Sequence, residues 1–316
     1  MADPAALGLV GDVGGTNARF ALASRTSDDE ASVGEPRTWP TRDLHDLPGI
    51  WRALSGSDQP PAFACVAVAA PVSGPSVRLT NAAVTLDIHT LQSSRARLVN
   101  DLEAAAAGVR AVSAADRRLL VEGTRDPARP AVVVGLGTGL GVALCLPDGT
   151  VLGGEGGHAP FAPANAVLAD FSEALSAARN RPTEWEDLLC GRGLGRVVAW
   201  YRDDRALALS ADLPALEALA VNASQGPSPL VPEAAIEAWV GAVADVCRGV
   251  ALTVRAGAVH ICGGVAAHLS SALARPIFAQ RFRAPGPVSH VLADVPVELV
   301  TDQMLALRGC LALIER

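Results

Sequence analysis

Residues 7–23 read LGLVGDVGGTNARFALA, two short apolar runs joined by Gly14-Gly15-Thr16-Asn17. Apolar runs on either side of a glycine-rich break predict two antiparallel strands and a tight turn that needs positive φ, so the chain is expected to open on a β-hairpin. The pattern returns at 131–146, AVVVGLGTGLGVALCL, with Gly137-Thr138-Gly139 at the turn. Laying VGDVGGTNARFAL beside VGLGTGLGVAL points to an internal duplication, each half starting with a strand, a Gly/Thr turn and a returning strand. Two related α/β lobes follow.

Outward from these hairpins, 62–70 and 97–99 read as strands, with an amphipathic stretch near 42–54 and a helix from Leu102 to Arg110. Helical patterns occupy 164–179, 184–189, 193–203 and 231–255, and 224–229 (SQGPSP) reads as a loop between helices. A strand at 257–261, a turn at Gly263-Gly264 and a helix at 265–273 come next. A strand at 296–300 and a helix at 303–315 close the chain, and such a terminal helix is expected to pack back on an earlier lobe.

Composition narrows the class. The 316 residues are half hydrophobic but only 4% aromatic, so the core has to be aliphatic residues and alanine packed at close backbone approach, and a disordered chain is excluded. A net charge of −7 offers no basic excess for a phosphodiester backbone and argues against a nucleic-acid partner. All 26 basic residues are arginine. Without a lysine there is no P-loop, no protein-kinase strand lysine and no Schiff base. Six scattered cysteines, with no Cys-x-x-Cys pair or histidine at zinc spacing, read as buried thiols in a reducing compartment. Neither a leader pattern nor an apolar run of about 18 residues is present, so a cytoplasmic protein with no membrane partner is expected.

Several residues could carry chemistry, each with a plainer reading beside it. Asp12 stands at a strand end before Gly14, Gly15, Thr16 and Asn17, where free backbone N–H groups can cradle a phosphate and the carboxylate can hold Mg²⁺ through water. A simple tight turn is the alternative. Gly137, Thr138 and Gly139 form a second candidate phosphate loop; a strand follows it, so it is not a dinucleotide-binding loop, which opens a helix. Asn100 and Asp101 sit where a strand gives way to a helix, which suits either a helix cap or a reactive carboxylate presented at a sheet edge. Glu155 and His158, in GGEGGH, combine acceptor and donor among four glycines that forbid a zinc-type helix; a polyol would suit them, and a structural histidine is the alternative. Glu186 by itself reads as a solvated helical charge.

Taken together, LVGDVGGTNARFAL (9–22), AAPVSG (69–74), LVNDLEAAAAG (98–108), GLGTGLGVA (135–143), GEGGHAPFAP (154–163), CGRGL (190–194) and ICGGV (261–265) resemble the bacterial glucokinase family of the hexokinase/actin/Hsp70 ATPase superfamily. The resemblance implies an α/β protein of two RNase H-like (actin-like ATPase) lobes with an interlobe cleft. The expected small lobe is 1–110 with 301–316, and the large lobe 111–300. It implies ATP-dependent phosphorylation of glucose at the 6-hydroxyl, with Asp101 as general base. Asn100, Glu155, His158 and Glu186 would hold the other hydroxyls. Asp12 with Gly14, Gly15, Thr16 and Asn17 falls to Mg²⁺ and phosphate, Gly137, Thr138 and Gly139 to phosphate, and Gly263 with Gly264 to the nucleoside side. A homodimer is common in that family. The chain departs from the pattern at Asn81-Ala82-Ala83-Val84, where a His and a Trp usually follow the Asn, after Gly264, where Ala267-His268 stands without the usual Pro-Arg, and at TDQMLALRG (301–309). Another hexose as acceptor, or a catalytically silent nucleotide-dependent regulator on the same fold, are the alternative readings.

Overall fold

The computed structural model of the chain describes residues 6–25, 31–79, 84–210 and 232–314. The loop at 224–229 and the departure at Asn81 to Ala83 lie outside the described residues. Two compact units are present: Met1–Ser113 with Gly149–Gly153 and Asp302–Arg316, and Ala114–Asp148 with Gly154–Thr301.

In the first unit the opening hairpin is β1 (Ala6–Val13) and β2 (Asn17–Arg25), paired antiparallel from Ala6↔Arg25 to Val13↔Ala18. β3 (Ala31–Val33) and β4 (Arg37–Pro40) both pair with β2, and β5 (Ala64–Val68) lies parallel to β1. β6 (Ser76–Leu79) and β7 (Val84–Asp87) form a separate ribbon, and β8 (Ala96–Asn100) lies parallel to β5. The sheet order is β3-β2-β1-β5-β8. Of the amphipathic stretch near 42–54, the helical part is α1 (Leu47–Ser55), whose start is punctuated by Asp46, which accepts from Gly49 N–H at 2.8 Å, and by the proline at its first turn.

The second unit repeats the scheme. β9 (Arg117–Val121) comes first in the chain, and β10 (Ala131–Leu136) with β11 (Leu140–Cys145) is the second hairpin. β12 (Ala258–Cys262) lies parallel to β10, β13 (Val297–Val300) parallel to β12, and β9 closes antiparallel on β13. A hairpin followed by parallel strands thus occurs twice, as the paired Gly/Thr turns imply. The helix expected over 265–273 is two short ones, Gly264–His268 and Ser270–Leu273, because Leu269 leaves the helical region at ψ 19°. Along the glycine run at 153–158 a strand ends at Gly154 and Gly156–His158 makes one 3₁₀ turn.

Packing explains the alanine-rich, aromatic-poor composition. Successive β5 residues face opposite sides of the sheet. Ala64, Val66 and Val68 join Phe20 and Trp51 in one cluster, whereas Cys65 and Ala67 join Ala21 and Ala104 against the C-terminal helix Leu305–Ile314. Only small side chains on the second face let that helix approach closely. Gly309 is the tightest point, since a Cβ there would collide with the Ala104 carbonyl. Gly309→Ala is therefore expected to lower stability by about 2 kcal/mol, as overpacking does when the obstacle is backbone, and urea denaturation checks it. The second unit is built on the 22-residue helix Glu233–Val254, whose buried Trp239 donates to the Leu188 carbonyl at 2.9 Å. All six cysteines are buried thiols outside any disulfide, and among the described residues no helix is long and apolar enough to cross a membrane.

Candidate active site

In the first unit the candidate residues gather at the carboxyl ends of the parallel strands, where open α/β sheets present ligand-binding groups. Val13, Val68 and Asn100 lie in one register row across β1, β5 and β8. Asp12 precedes that row on β1 and Asp101 follows it at the start of a helix, and the two outer strands, β1 and β8, are about 10 Å apart. The turn after Asp12 is closed by Gly14 N–H to the Asn17 carbonyl at 3.0 Å, with Gly15, Thr16 and Asn17 exposed, and contrary to the expectation none of its residues has positive φ. Buried Thr41 anchors it: its N–H donates to the Thr16 carbonyl at 2.9 Å and its hydroxyl to the Gly14 carbonyl at 2.8 Å. Both bonds use turn carbonyls.

Asp12 is not a lone carboxylate. Arg19 sits directly across the hairpin from it and donates to Oδ2 at 2.6 Å, while its other Nη donates to the Gln303 carbonyl at 2.8 Å. Asn100 caps α2 (Asp101–Gly108), its Oδ1 accepting from Leu102 N–H at 2.9 Å and Glu103 N–H at 3.4 Å. Its Nδ2 donates to the Ala70 carbonyl at 3.3 Å, which uses one of the two amide protons. Asp101 opens the helix and also accepts from Leu102 N–H, at 2.9 Å. Burial pushes its carboxyl up to about 6; the Leu102 N–H works against this and the charge of Asp12 adds to it. Position at a helix start favours the ionised form. Desolvation outweighs it.

In the second unit the glycine turn at 137–139 is closed by Gly137 N–H to the Gly139 carbonyl at 3.0 Å, and Gly191 N–H donates to the Gly137 carbonyl at 3.1 Å. Gly263, after β12, has φ 101°, and a Cβ there would run into the carbonyl of Leu136. That position requires glycine on both counts. Gly263 and Gly264 are exposed. Glu186, on the short helix Trp185–Leu188, is not the solvated charge that its isolated reading suggests: Oε2 accepts from Leu140 N–H at 2.9 Å, just past the glycine turn.

His158 Nδ1 lies 2.9 Å from Glu184 Oε2, and its Nε2 lies 3.9 Å from Glu155 Oε2. The bond to Glu184 raises the His158 pKa; desolvation opposes this, and the charges of Glu186, Glu184 and Glu155 reinforce it. Backbone bonds hold the two segments together, Phe161 N–H to the Thr183 carbonyl at 2.8 Å and Trp185 N–H to the Ala159 carbonyl at 3.1 Å. Phe161 and Trp185 pack edge to face at 4.8 Å. Within this unit Glu155, His158, Glu186 and the 137–139 turn are thus parts of one braced constellation.

Arg19, Thr41, Glu184 and Asp187 escape the sequence reading. Arg19 is recoverable by counting hairpin register back from the turn, and Glu184 and Asp187 announce themselves only as an acidic cluster around Glu186. Thr41 leaves no signal, because its role depends on β4 folding onto β2. Among the described residues no group of three His, Cys, Asp or Glu could hold a metal ion.

The whole-chain fold has counterparts among solved structures. A glucokinase from an Antarctic psychrotroph superposes with a TM-score of 0.83 at 26% identity, covering 98% of this chain and 99% of that one. A ROK family glucokinase from Streptomyces griseus, solved with glucose and AMPPNP, has a TM-score of 0.61 at 16% identity and covers 97% of this chain and 98% of its own. The doubled hairpin-led sheet is therefore the two-lobe actin-like ATPase fold, and the protein is a hexokinase-type sugar kinase. Sequence likeness narrows the class: a glucokinase of Marinobacter nauticus is 34% identical over 95% of each chain, and the glucokinase family profile matches residues 9–316. This chain belongs to the glucokinase family.

Proposed function

We propose that the protein transfers the γ-phosphoryl group of ATP to the 6-hydroxyl of glucose, with Asp101 as the general base. The observation that carries this reading is a half-buried carboxylate set by the Asn100-capped helix start at the carboxyl ends of the parallel strands, where burial raises it to about 6 and leaves it ionised yet basic at neutral pH. Asp101 takes the hydroxyl proton as the oxygen attacks phosphorus in line, and no covalent enzyme intermediate is needed. Asn100, Glu155, His158 and Glu186 orient the remaining hydroxyls. Such positioning is what phosphoryl transfer chiefly demands of a protein. The turns at 14–17 and 137–139, with Gly15, Thr16, Asn17 and Thr138 exposed, supply N–H groups to the phosphates, and Gly263 with Gly264 lets the nucleoside approach the backbone.

The residues fit a magnesium ion that arrives with the nucleotide. Arg19 occupies Oδ2 of Asp12, leaving Oδ1 for an ion-bound water, and magnesium needs only one or two carboxylates besides phosphate oxygens and waters. When bound, the ion neutralises charge on the phosphoryl oxygens. A coupled assay of ADP release with ATP across a hexose panel tests the proposal, and glucose is expected to give the highest kcat/KM. ADP release with no hexose in the panel would overturn it. The Asn81-Ala82-Ala83 departure favours a second reading, in which mannose, fructose or an amino sugar outranks glucose.

A further inference from the structure

His158 presents two ring nitrogens to two carboxylates at unequal distances, and the asymmetry says what each nitrogen does. Nδ1 is within hydrogen-bond reach of Glu184 Oε2, at 2.9 Å, so this nitrogen carries a proton. Nε2 stands 3.9 Å from Glu155 Oε2, too far for a direct bond. Glu184 is well placed to set the ring. Its side chain is half-buried, its N–H donates to Asp187 Oδ2 at 3.0 Å, Arg181 lies 3.5 Å from its carboxylate, and residue 184 forms a β-bridge with Pro160.

A hydroxyl in contact with both Nε2 and Glu155 has a single proton to give. Were Nε2 unprotonated, two acceptors would compete for that proton and one would stay unmatched. With Nε2 protonated, the hydroxyl oxygen accepts from His158 and its proton goes to Glu155. We propose that Glu184 is a positioning residue of the sugar site: by accepting the Nδ1–H hydrogen bond of a doubly protonated His158 it aims Nε2–H at the hexose hydroxyl whose own proton goes to Glu155. This rests on the reading of His158 as a hexose contact. The groups facing the ring, Glu155, Glu184 and Glu186 with Arg181 behind Glu184, sum to net negative charge and favour the doubly protonated imidazole.

The test follows hexose KM and kcat from pH 6 to 9 for the wild type, Glu184→Gln, Glu184→Ala and His158→Gln, alongside an NMR titration of the His158 imidazole. In the wild type, hexose KM is expected to rise as pH climbs through the His158 midpoint. Glu184→Gln keeps an acceptor but removes the charge, so both the KM rise and the NMR midpoint move to lower pH with kcat little changed. Glu184→Ala frees the ring and raises KM about tenfold, the loss expected for a hydrogen bond to a charged group. If His158→Gln raises KM while Glu184→Gln leaves the KM profile and the imidazole midpoint where they were, the role of Glu184 is refuted and the sugar site stands. If His158→Gln leaves KM unchanged, His158 is not a hexose contact, and both the site assignment and the role of Glu184 fall.

Discussion

Asp101→Asn is expected to lose about 10²- to 10⁴-fold in kcat, the range for removal of a general base, with hexose KM changed only a few-fold. The same variant is expected to be at least as stable as the wild type at pH 8. Desolvation lifts the Asp101 carboxyl from its ordinary 3.8 to about 6, so the folded protein prefers the protonated form. The sign of the linkage follows. The group costs the fold nothing below about pH 4, and holding it ionised destabilises the fold as pH rises through 6, by about 1 to 2 kcal/mol after allowance for the solvent that reaches it. An asparagine removes that cost, so activity and stability should move in opposite directions. In the wild type, kcat/KM should fall below about pH 6 as the base is protonated. A variant with near-normal kcat would take the base role away from Asp101, and a melting temperature well below wild type would show that the carboxylate is a structural group.

Asp187→Ala is expected to destabilise the protein by about 2 to 3 kcal/mol, the range for lost hydrogen bonds to a charged group, because Arg179 and Arg181 keep 22% and 39% of their side chains in solvent. Asp187 is only 6% exposed, accepts from Arg179 and, at 2.8 and 2.9 Å, from Arg181, and also takes the Glu184 N–H. Burial alone would raise its pKa; the hydrogen bonds from Arg181 and Glu184 and the charges of Arg179 and Arg181 outweigh burial and hold it below the ordinary value. Its contribution is therefore present at neutral pH and lost as pH falls through the carboxylate range. Arg196, buried close by with an Nε that lacks a hydrogen-bond partner among the described residues, has its pKa lowered by burial and by the charge of Arg179, and as a further positive group it offers the other arginines no compensation. Urea denaturation at pH 7.5 measures the loss. Because Asp187 pins the start of the helix that carries Glu186 and the residue that holds His158, hexose KM should rise as well. Wild-type stability in Asp187→Ala would mean that the arginines find solvent without the carboxylate.

The halves of the candidate site were not equally legible. Asp12 and the 14–17 turn, the 137–139 turn and the Asn100-Asp101 helix start can be found from the chain alone, because each is a local event: a strand ends, glycines permit a turn, a capping residue precedes apolar periodicity. The strands carrying them are likewise visible as apolar runs. The helix at 265–273 misled because propensity does not register the break at Leu269, and Glu186 misled because its partner, Leu140 N–H, is 46 residues away. Whether Asp101 is basic enough to act cannot be read from a helix start, since the dipole predicts the opposite shift and burial, with the charge of Asp12, reverses it.

By itself the sequence determined the repeated hairpin, the lysine-free chemistry and the small-residue sheet face that admits the terminal helix, because these depend on residue type and on spacing within a few positions. Tertiary structure alone decided which carboxylates are solvated, which are buried and which are paired. Glu184 meets His158, and Glu186 meets the Leu140 N–H, only once segments 26 and 46 residues apart along the chain lie side by side. The energy of a charge is set by those neighbours and by the water they exclude, and neither is written in the residue that carries it.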